Sequence, residues 1–531
     1  MNDSMTQSLL HYQHEIGSRL NSGDLAGTAT LAAECRSAWP ADRAGWLFGS
    51  IAALLEGHRE RALALVEEYL VADPADTQCL LQKAECLLAL GNGPAALAAA
   101  TTAAATTNDG AAALDAIGEF MVHAGEHRRA LEIYHRAVAS APTQPILRTK
   151  RADLHRFLGE FELAAADYEA ALALAPGTPK ALKSLVELRQ QSTERNSIGA
   201  LQSALAQATP GTRDAAILHF GLAKSYADLG EHVLSWQHLA SGNALERAQI
   251  QYLPATDREV IDRMISAFPD IEAVRPDTTG ARPIFIVGLP RTGTTLVERI
   301  LGNHSQVQAA GELTALPDAI ERAIGRATGG EPVDGQQLTA VLGDLEGATM
   351  AAEYLALTQT QRGDRPRFTD KLPSNFLSCA LILRAFPNAR IIHVTRHPLA
   401  ACHAIYRSRF PGTYPFAYDL LEIAEFYVGY HRLMAHWHQV LPGRILAVAY
   451  EDVVTALEPT TRRMLEDLDL PFEARCLEFH SNPTPVQTNS SVQVRQPLYD
   501  SSLNSWQHHA TQLEPVRVHL EAAGIPTGRR S

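Results

Sequence analysis

Glycine recurs at Gly23, Gly57, Gly91, Gly125 and Gly159, a constant step of 34 residues, each time behind a leucine- or alanine-rich segment. A second series keeps the same step and phase: Pro40, Pro74, Asn108, Pro142 and Pro176. Alanine stands five residues after four of the glycines, at Ala62, Ala96, Ala130 and Ala164. Few folds admit such a pattern. Glycine tolerates positive φ and ends one helix in a tight turn. The small alanine lets the next helix approach closely. Proline, which has no N–H to continue a helical ladder, stops the second helix before the next unit. The period therefore predicts stacked helix pairs over the N-terminal half.

The phrases HAGEHRRALEIYHRAVASAP and FLGEFELAAADYEAALALAP carry the pattern most fully, and the repeat resembles the tetratricopeptide repeat. A further unit around Gly230 (DLGEHVLSWQHLASGN) lies 71 residues after Gly159, two periods plus three residues, so an irregular unit is expected between them. Two roles stand open for this half: a pure scaffold, or a concave superhelix that holds an extended peptide or a partner protein. The expected division is a repeat domain over residues 7–250, a helical linker over 251–281 and a second domain over 282–531.

Composition narrows the classes further. The 531 residues are 46% hydrophobic and 20% charged, ordinary for a globular chain. The net charge of −13 argues against a surface that coats nucleic acid. Six cysteines are scattered without a C-x-x-C pair, which speaks against a zinc ribbon or disulfide scaffold and suits a reducing compartment. No uninterrupted apolar stretch of about 18 residues suggests a membrane span. The N-terminus lacks the basic and apolar regions of a signal peptide. A cytoplasmic location is the simplest expectation.

The chemistry is expected in the C-terminal half. After a polar stretch read as a linker (RPDTTGARP, residues 275–283) comes PIFIVGLPRTGTTLVERIL. Residues 284–287 read as a buried parallel strand, 288–295 as a loop, and the helix starts at Thr294. Strand, glycine-containing loop and helix N-terminus are what a phosphate-binding loop requires. A nucleotide-triphosphate loop reads G-x-x-x-x-G-K-[ST]. Here Gly288, Gly293 and Thr295 match, but Thr294 fills the lysine slot and Arg291 brings the positive charge from elsewhere in the loop. The next apolar run, ARIIHVTRHP, is followed by Arg396 where a triphosphatase commonly has a magnesium-binding aspartate. Arginine offers a planar fork to phosphate. Two separate anion-binding points favour a nucleotide with two separated phosphate groups. Asp370, in RFTDKLP, is the only plausible magnesium ligand in the pattern.

GLPRTGTTL resembles the 5′-phosphosulfate loop of sulfotransferases, and IIHVTRHPLAACHAIYRSRF resembles their 3′-phosphate motif. With the repeats, the chain resembles the bacterial tetratricopeptide-repeat sulfotransferases, whose catalytic domain is similar to that of tyrosylprotein sulfotransferases. The resemblance covers about residues 7–250 and 282–510. It implies an all-α solenoid followed by an α/β, P-loop-like domain with a central parallel sheet. It implies 3′-phosphoadenosine 5′-phosphosulfate (PAPS) as co-substrate, with no metal. Arg291, Thr292, Gly293, Thr294 and Thr295 would then cradle the 5′-phosphosulfate and Arg396 the 3′-phosphate. The family's serine eight residues after that arginine is Ala404 here, so Ser408 is the expected substitute. Tyr450, in VAYEDVV, matches a nucleotide-contacting tyrosine. The segment TNSSVQVRQPLYDSSLNSW resembles the loop that closes over the nucleotide and nominates Ser490, Gln493, Val494 and Arg495; the competing reading is an exposed loop.

A phenol has pKa about 10, so roughly one in a thousand is ionised at pH 7 and a base is needed. The resemblance nominates Glu312, in AAGELTALP, as that base, and Lys371, in TDKLPSN, as the cation on the transferring sulfonate, beside Arg291. The competing readings are a helix cap at Leu313 for Glu312 and a solvated strand-end lysine for Lys371. His304 is the alternative base, with a capping role after the phosphate-loop helix as its competing reading. His393 and His397 flank the second strand, one as buried structure and one as a loop residue, and Ser374 is expected to cap the helix that follows it. The chain is thus expected to move a sulfuryl group from PAPS to a hydroxyl. The acceptor ranges from a peptide tyrosine presented by the repeats to a carbohydrate, lipid or small metabolite. The alternatives are a P-loop nucleotide kinase and a non-catalytic repeat adapter.

Overall fold

A computed structural model describes residues 2–108, 110–270, 279–482, 484–488, 490–498 and 501–528. Residues 271–278 of the expected linker lie outside the described residues. The chain forms two compact units: Met1–Leu154 with Leu355–Gln361, and His155–Tyr354 with Arg362–Ser531.

The first unit is built from helix pairs that follow the sequence period. Asn2–Ser22 pairs with Leu25–Ala38, Ala44–Leu55 with Arg59–Ala72, Thr77–Ala89 with Gly93–Thr106, and Ala111–His123 with His127–Ser140. Each glycine of the series has φ between 78° and 84°, the left-handed turn that a side chain resists. Ala62, Ala96 and Ala130 are 0% exposed, packed where the second helix of a pair meets its neighbours. Pro40, Pro74 and Pro142 follow directly on helix ends at Ala38, Ala72 and Ser140. Every part of the repeat does the physical work its residue type suggested.

The second unit begins inside the helix Pro145–Leu158 and continues with Phe161–Leu174, Pro179–Leu188, Ile198–Gln207, Arg213–Asp228 and His232–Arg247. The irregular unit lies where the glycine spacing breaks. Pro179–Leu188 and Ile198–Gln207 have ten residues each. They are joined by a loop that Asp228 holds through the Gln191 N–H at 2.8 Å. The last helix joins the rest of this unit through buried polar groups. Asn243 (0% exposed) donates to the Tyr406 carbonyl at 3.0 Å, and Arg409 pairs with Glu246 at 2.5 Å. Arg247 grips both oxygens of Glu422 at 2.8 Å.

The same unit contains a five-stranded, all-parallel sheet. Its strands are β1 (Pro283–Gly288), β2 (Val307–Ala309), β3 (Arg367–Asp370), β4 (Arg390–Thr395) and β5 (Ile445–Ala449), in the order β2-β3-β1-β4-β5. All six residues of β1 are buried, as its continuous apolar run predicts. The register aligns Gly288 with Val394, and Thr395 with Ala449, so the strands release their loops at a common edge. Helix Thr294–Gly302 packs Val297, Ile300 and Leu301 against Ile286, Ile392, Val394 and Val448 of the sheet. Among the described residues no helix is long and apolar enough to cross a membrane.

Candidate active site

All five strands deliver a candidate residue just beyond their C-terminal ends. The glycine loop follows β1, Glu312 follows β2, Lys371 follows β3, Arg396 follows β4 and Tyr450 follows β5. Ligands of open parallel sheets bind at this edge, because the loops there are free to vary while the strands hold their origins. Residues that lie far apart in the chain are collected by one sheet.

Backbone strain marks the loop after β1. Arg291 has φ 67° and Gly293 has φ 103°. Gly293 stands immediately before the helix Thr294–Gly302, and a Cβ there would lie 2.5 Å from the Tyr450 ring. Only glycine lets the loop turn into its helix against that ring. The unpaired N–H groups of the first helical turn are then left at the strand edge, with the positive end of the helix dipole behind them. Thr292, Thr294 and Thr295 are buried, and Thr292 Oγ1 donates to the Leu289 carbonyl at 2.7 Å, stiffening the turn.

Two arginines meet over this loop. Arg396 donates through Nη1 to the Arg291 carbonyl at 2.9 Å and through Nη2 to the Ser502 carbonyl at 2.7 Å, with its guanidinium 4.6 Å from the Tyr450 ring centre. The Tyr450 hydroxyl lies 2.8 Å from Ser502 Oγ. Arg291 itself donates to Ser490 Oγ and, at 2.9 Å, to Gln493 Oε1. Thr295 and Thr488 hydroxyls lie 3.4 Å apart. Thr488, Ser490 and Gln493 therefore reach the phosphate loop, and Ser502 meets Arg396 and Tyr450. Sequence pattern finds Ser490 and Gln493 and passes over Thr488 and Ser502, whose only signal is membership of the same hydroxyl-rich stretch.

Three nominated residues point elsewhere. Val494 is buried in the core with Ile300 and Phe479. Arg495 donates to the Asn482, Thr484 and Phe157 carbonyls, tying the segment to a helix end. Ser408 lies beyond the C-terminus of the helix Pro398–Tyr406, and its hydroxyl donates to the Ala404 carbonyl at 2.9 Å. Arg396 sits at the other end of that nine-residue helix, roughly 13 Å of helical rise away.

The second half of the site is an ion pair. Lys371 Nζ donates to Glu312 Oε1 at 2.5 Å, with the lysine side chain 1% and the glutamate 44% exposed. Lys371 is thus a buried cation rather than a solvated strand end. Glu312 does not cap a helix: the next one runs Ala315–Thr328 with Thr314 at its cap. Behind the pair, Glu298 Oε1 accepts from the Gly311 N–H and the Thr369 hydroxyl, both at 2.9 Å. Glu298 escapes notice in the sequence because the adjacent charges Glu298 and Arg299 within LVERIL read as the solvated face of a helix. Tyr414 stands close enough to feel the Glu312 charge; burial first, and that charge second, push its phenol above the usual range.

His304 is fully buried, with Nε2 at 3.0 Å from the Pro471 carbonyl and Nδ1 accepting from the Gln306 N–H at 3.1 Å. Both ring nitrogens are engaged in holding the turn after the phosphate-loop helix. His393 is buried structure between Tyr430 and His438, and burial lowers its pKa to about 3. His397 stacks on Trp506 with ring centres 5.0 Å apart. Ser374 caps nothing: it lies within the 3₁₀ turn Pro373–Ser378, which has no side-chain cap. Asp370 is 0% exposed and accepts from the Tyr354 hydroxyl at 3.0 Å, so it faces the core rather than the loop edge. Among the described residues no group of three or more His, Cys, Asp or Glu side chains is placed to hold a metal.

Residues 283–474 match the model of the Sulfotransferase family. An uncharacterized protein of Aquifex aeolicus is 33% identical over 347 residues, which cover 64% of this chain and 46% of the relative. The chain thus spans about half the length of that relative. A putative protein-tyrosine sulfotransferase of Caenorhabditis briggsae is 27% identical over 258 residues, covering 46% of this chain and 89% of the relative. Among solved structures, the sulfotransferase domain from the curacin biosynthetic pathway superposes with a TM-score of 0.34 at 18% identity, covering 47% of this chain and 99% of that one. Residues 283–474 of this chain are thus similar to the sulfotransferase family, and they follow helices built on a 34-residue repeat.

Proposed function

We propose that the chain transfers a sulfuryl group from PAPS to a hydroxyl acceptor. The observation that carries this reading is the convergence at one sheet edge of a lysine-free phosphate loop, two arginines and a buried Lys371–Glu312 pair. A triphosphate would need the missing loop lysine. Arg291 and Arg396 instead offer two anion sites beside a glycine cradle that a Cβ would fill. The residues present fit PAPS.

Arg291, Thr292, Gly293, Thr294 and Thr295 are assigned to the 5′-phosphosulfate, held by backbone N–H groups and hydroxyls at the helix N-terminus. Arg396, with Tyr450 beneath it, is assigned to the 3′-phosphate. Its Nη1 and Nη2 donate to neutral carbonyls, and a doubly charged phosphate is a stronger acceptor for the same groups. Ser490 and Gln493 steer Arg291. Ser408, Val494 and Arg495 are assigned to scaffolding of this site. Bound PAPS supplies the activated sulfuryl group. Glu312 takes the proton from the acceptor hydroxyl, and Lys371 faces the charge that develops on the group in transit. Preorganised charges and donors aimed at that developing charge commonly lower the barrier more than any other single effect.

The acceptor side opens on Glu312 and Tyr414. We assign the repeat region to holding an extended protein segment, so that a peptide hydroxyl, with tyrosine as the first candidate, is the acceptor. Helices Thr77–Ala89 and Ala111–His123 line a cavity of about 420 Å³ with Thr77, Gln78, Leu81, Ala112 and Ala116, the two alanines leaving room on one side. The test supplies ³⁵S-labelled PAPS with a tyrosine peptide, a small phenol and cell extract. Labelled product that disappears with Glu312→Gln is the expected result. Absence of labelled product from all three acceptors, by a chain that melts cooperatively, would overturn the reading.

A further inference from the structure

Lys371 is 1% exposed, and a buried ammonium needs a counter-charge throughout the reaction, not only at rest. At rest Glu312 supplies it at 2.5 Å. Proton transfer from an acceptor hydroxyl neutralises Glu312, so the resting pair cannot by itself keep the lysine compensated. A second carboxylate stands behind the first. Glu298, on the helix Thr294–Gly302, is 6% exposed and binds both segments that carry the pair. Its Oε1 accepts from the N–H of Gly311, next to Glu312, and from the hydroxyl of Thr369, two residues before Lys371.

The charges around Lys371 divide by environment. Burial pushes Asp370 up to about 8, so near neutral pH it carries a proton, with the Tyr354 hydroxyl as its neighbour. Burial, and to a smaller degree the Glu312 charge, raise Glu298 above the usual carboxylate range, while Lys371, the Thr369 hydroxyl and the Gly311 N–H pull against that rise. Loss of the Glu312 charge removes one of the two effects that raise it. Both buried carboxyls have hydrogen-bond donors, but only Glu298 counts the Lys371 cation among the groups that favour its negative charge. It also sits on the helix that follows the phosphate loop.

We propose that Glu298 is a positioning residue of the transfer site, whose carboxylate is the second counter-charge that holds Lys371 in place while Glu312 takes the acceptor's proton. The role rests on the sulfuryl-transfer reading of the Glu312–Lys371 pair, but half of its test does not.

E298Q keeps an oxygen for Gly311 and Thr369 and removes the charge; E298D keeps the charge. With the full chain at pH 7.5, E298Q should lower kcat about 10–100-fold while KM for PAPS and affinity for adenosine 3′,5′-bisphosphate stay within about twofold, and E298D should recover part of the loss. A purely structural role predicts the reverse, with the isosteric glutamine tolerated and the shortened aspartate not. Independently of turnover, thermal melts of E298Q, E312Q and the double variant should be non-additive. The double variant is expected to lose about 2 °C or more beyond the sum, and this excess should vanish when Lys371 is replaced in K371M. If E298Q alone does not fold but E298Q/K371M does, the assignment stands, since removing the ammonium removes the need. Additive melts, full turnover in E298Q, or failure of both variants to fold would overturn it. Non-additive melts in a chain that transfers no sulfuryl group would refute the proposed function while retaining Glu298 as the counter-charge to Lys371.

Discussion

Arg396 shows how one side chain can be read from sequence and still gain meaning from structure. Its position after an apolar strand suggests an anion site; only the fold shows it resting on the Arg291 carbonyl and the Tyr450 ring. Arg396→Ala should weaken adenosine 3′,5′-bisphosphate roughly 10–150-fold, the worth of a charged hydrogen bond, while adenosine 5′-phosphosulfate changes little. Calorimetry on both ligands checks this, and equal weakening would move the 3′-phosphate elsewhere. Asp370 illustrates the opposite limit. By sequence it is the only plausible magnesium ligand, whereas the side chain is enclosed and held at about 8 by burial. The folded chain keeps a proton there that the unfolded chain releases above about pH 4. That contribution to stability is therefore complete below about pH 4, falls as pH rises, and is lost above about 8. Asp370→Asn, which still accepts from Tyr354, should raise stability at pH 8 by about 1 kcal/mol or more in urea unfolding and leave it little changed at pH 4. Equal stabilisation at both pH values would mean that Asp370 does not hold that proton.

Elements whose logic is local were legible. The repeats were, because a positive-φ glycine, a close-packed alanine and a helix-stopping proline each act within one turn. The strand–loop–helix at 283–302 was legible for the same reason. What escaped was how the nominated side chains meet partners distant in the chain. Ser490 and Gln493 meet Arg291 across 199 and 202 residues, and Arg495 chooses the Phe157 carbonyl 338 residues away. Family pattern could nominate that segment but not say which side chains turn inward. Ser374 failed as a cap because Pro373 opens a 3₁₀ turn in which the serine is already inside. The loop itself offers a sharp test. Gly293→Ala forces a Cβ to 2.5 Å from Tyr450 at φ 103°, so the loop must rearrange. Strain of this kind costs about 1–3 kcal/mol, and bisphosphate affinity should fall at least about tenfold by calorimetry, with the melting temperature of the sheet only modestly lowered. Unchanged affinity would show that the turn does not shape the anion site.

The second unit takes in the last helices of the N-terminal half, and this bears on how the chain tolerates cutting. Removing residues 1–154 leaves Asn243–Tyr406, Glu246–Arg409 and Arg247–Glu422 intact; removing 1–250 breaks all three and strands buried Arg409 without its partner carboxylate. Breaking one partner from a buried pair costs about 3–5 kcal/mol. The 251–531 fragment should thus melt about 5 °C or more below the 155–531 fragment, and equal melting temperatures would contradict that joint. The unit should also be acid-labile. Burial holds His393 at about 3 and His509 at about 4, and pushes His403 well down. Their neutral forms stabilise the fold above about pH 6.5, and that contribution is lost progressively as pH falls toward 4. Urea midpoints should drop steeply over this window, less so in His393→Gln. The central claim concerns the nucleotide: two anion sites and no loop lysine select a 3′,5′-bisphosphate over a triphosphate. Side-by-side calorimetric titration of the full chain with adenosine 3′,5′-bisphosphate and with ATP plus Mg²⁺ tests it most directly. Binding of the bisphosphate at least about tenfold tighter, and abolished in Arg291→Ala/Arg396→Ala, is the predicted result; tighter binding of ATP with Mg²⁺ would contradict the account.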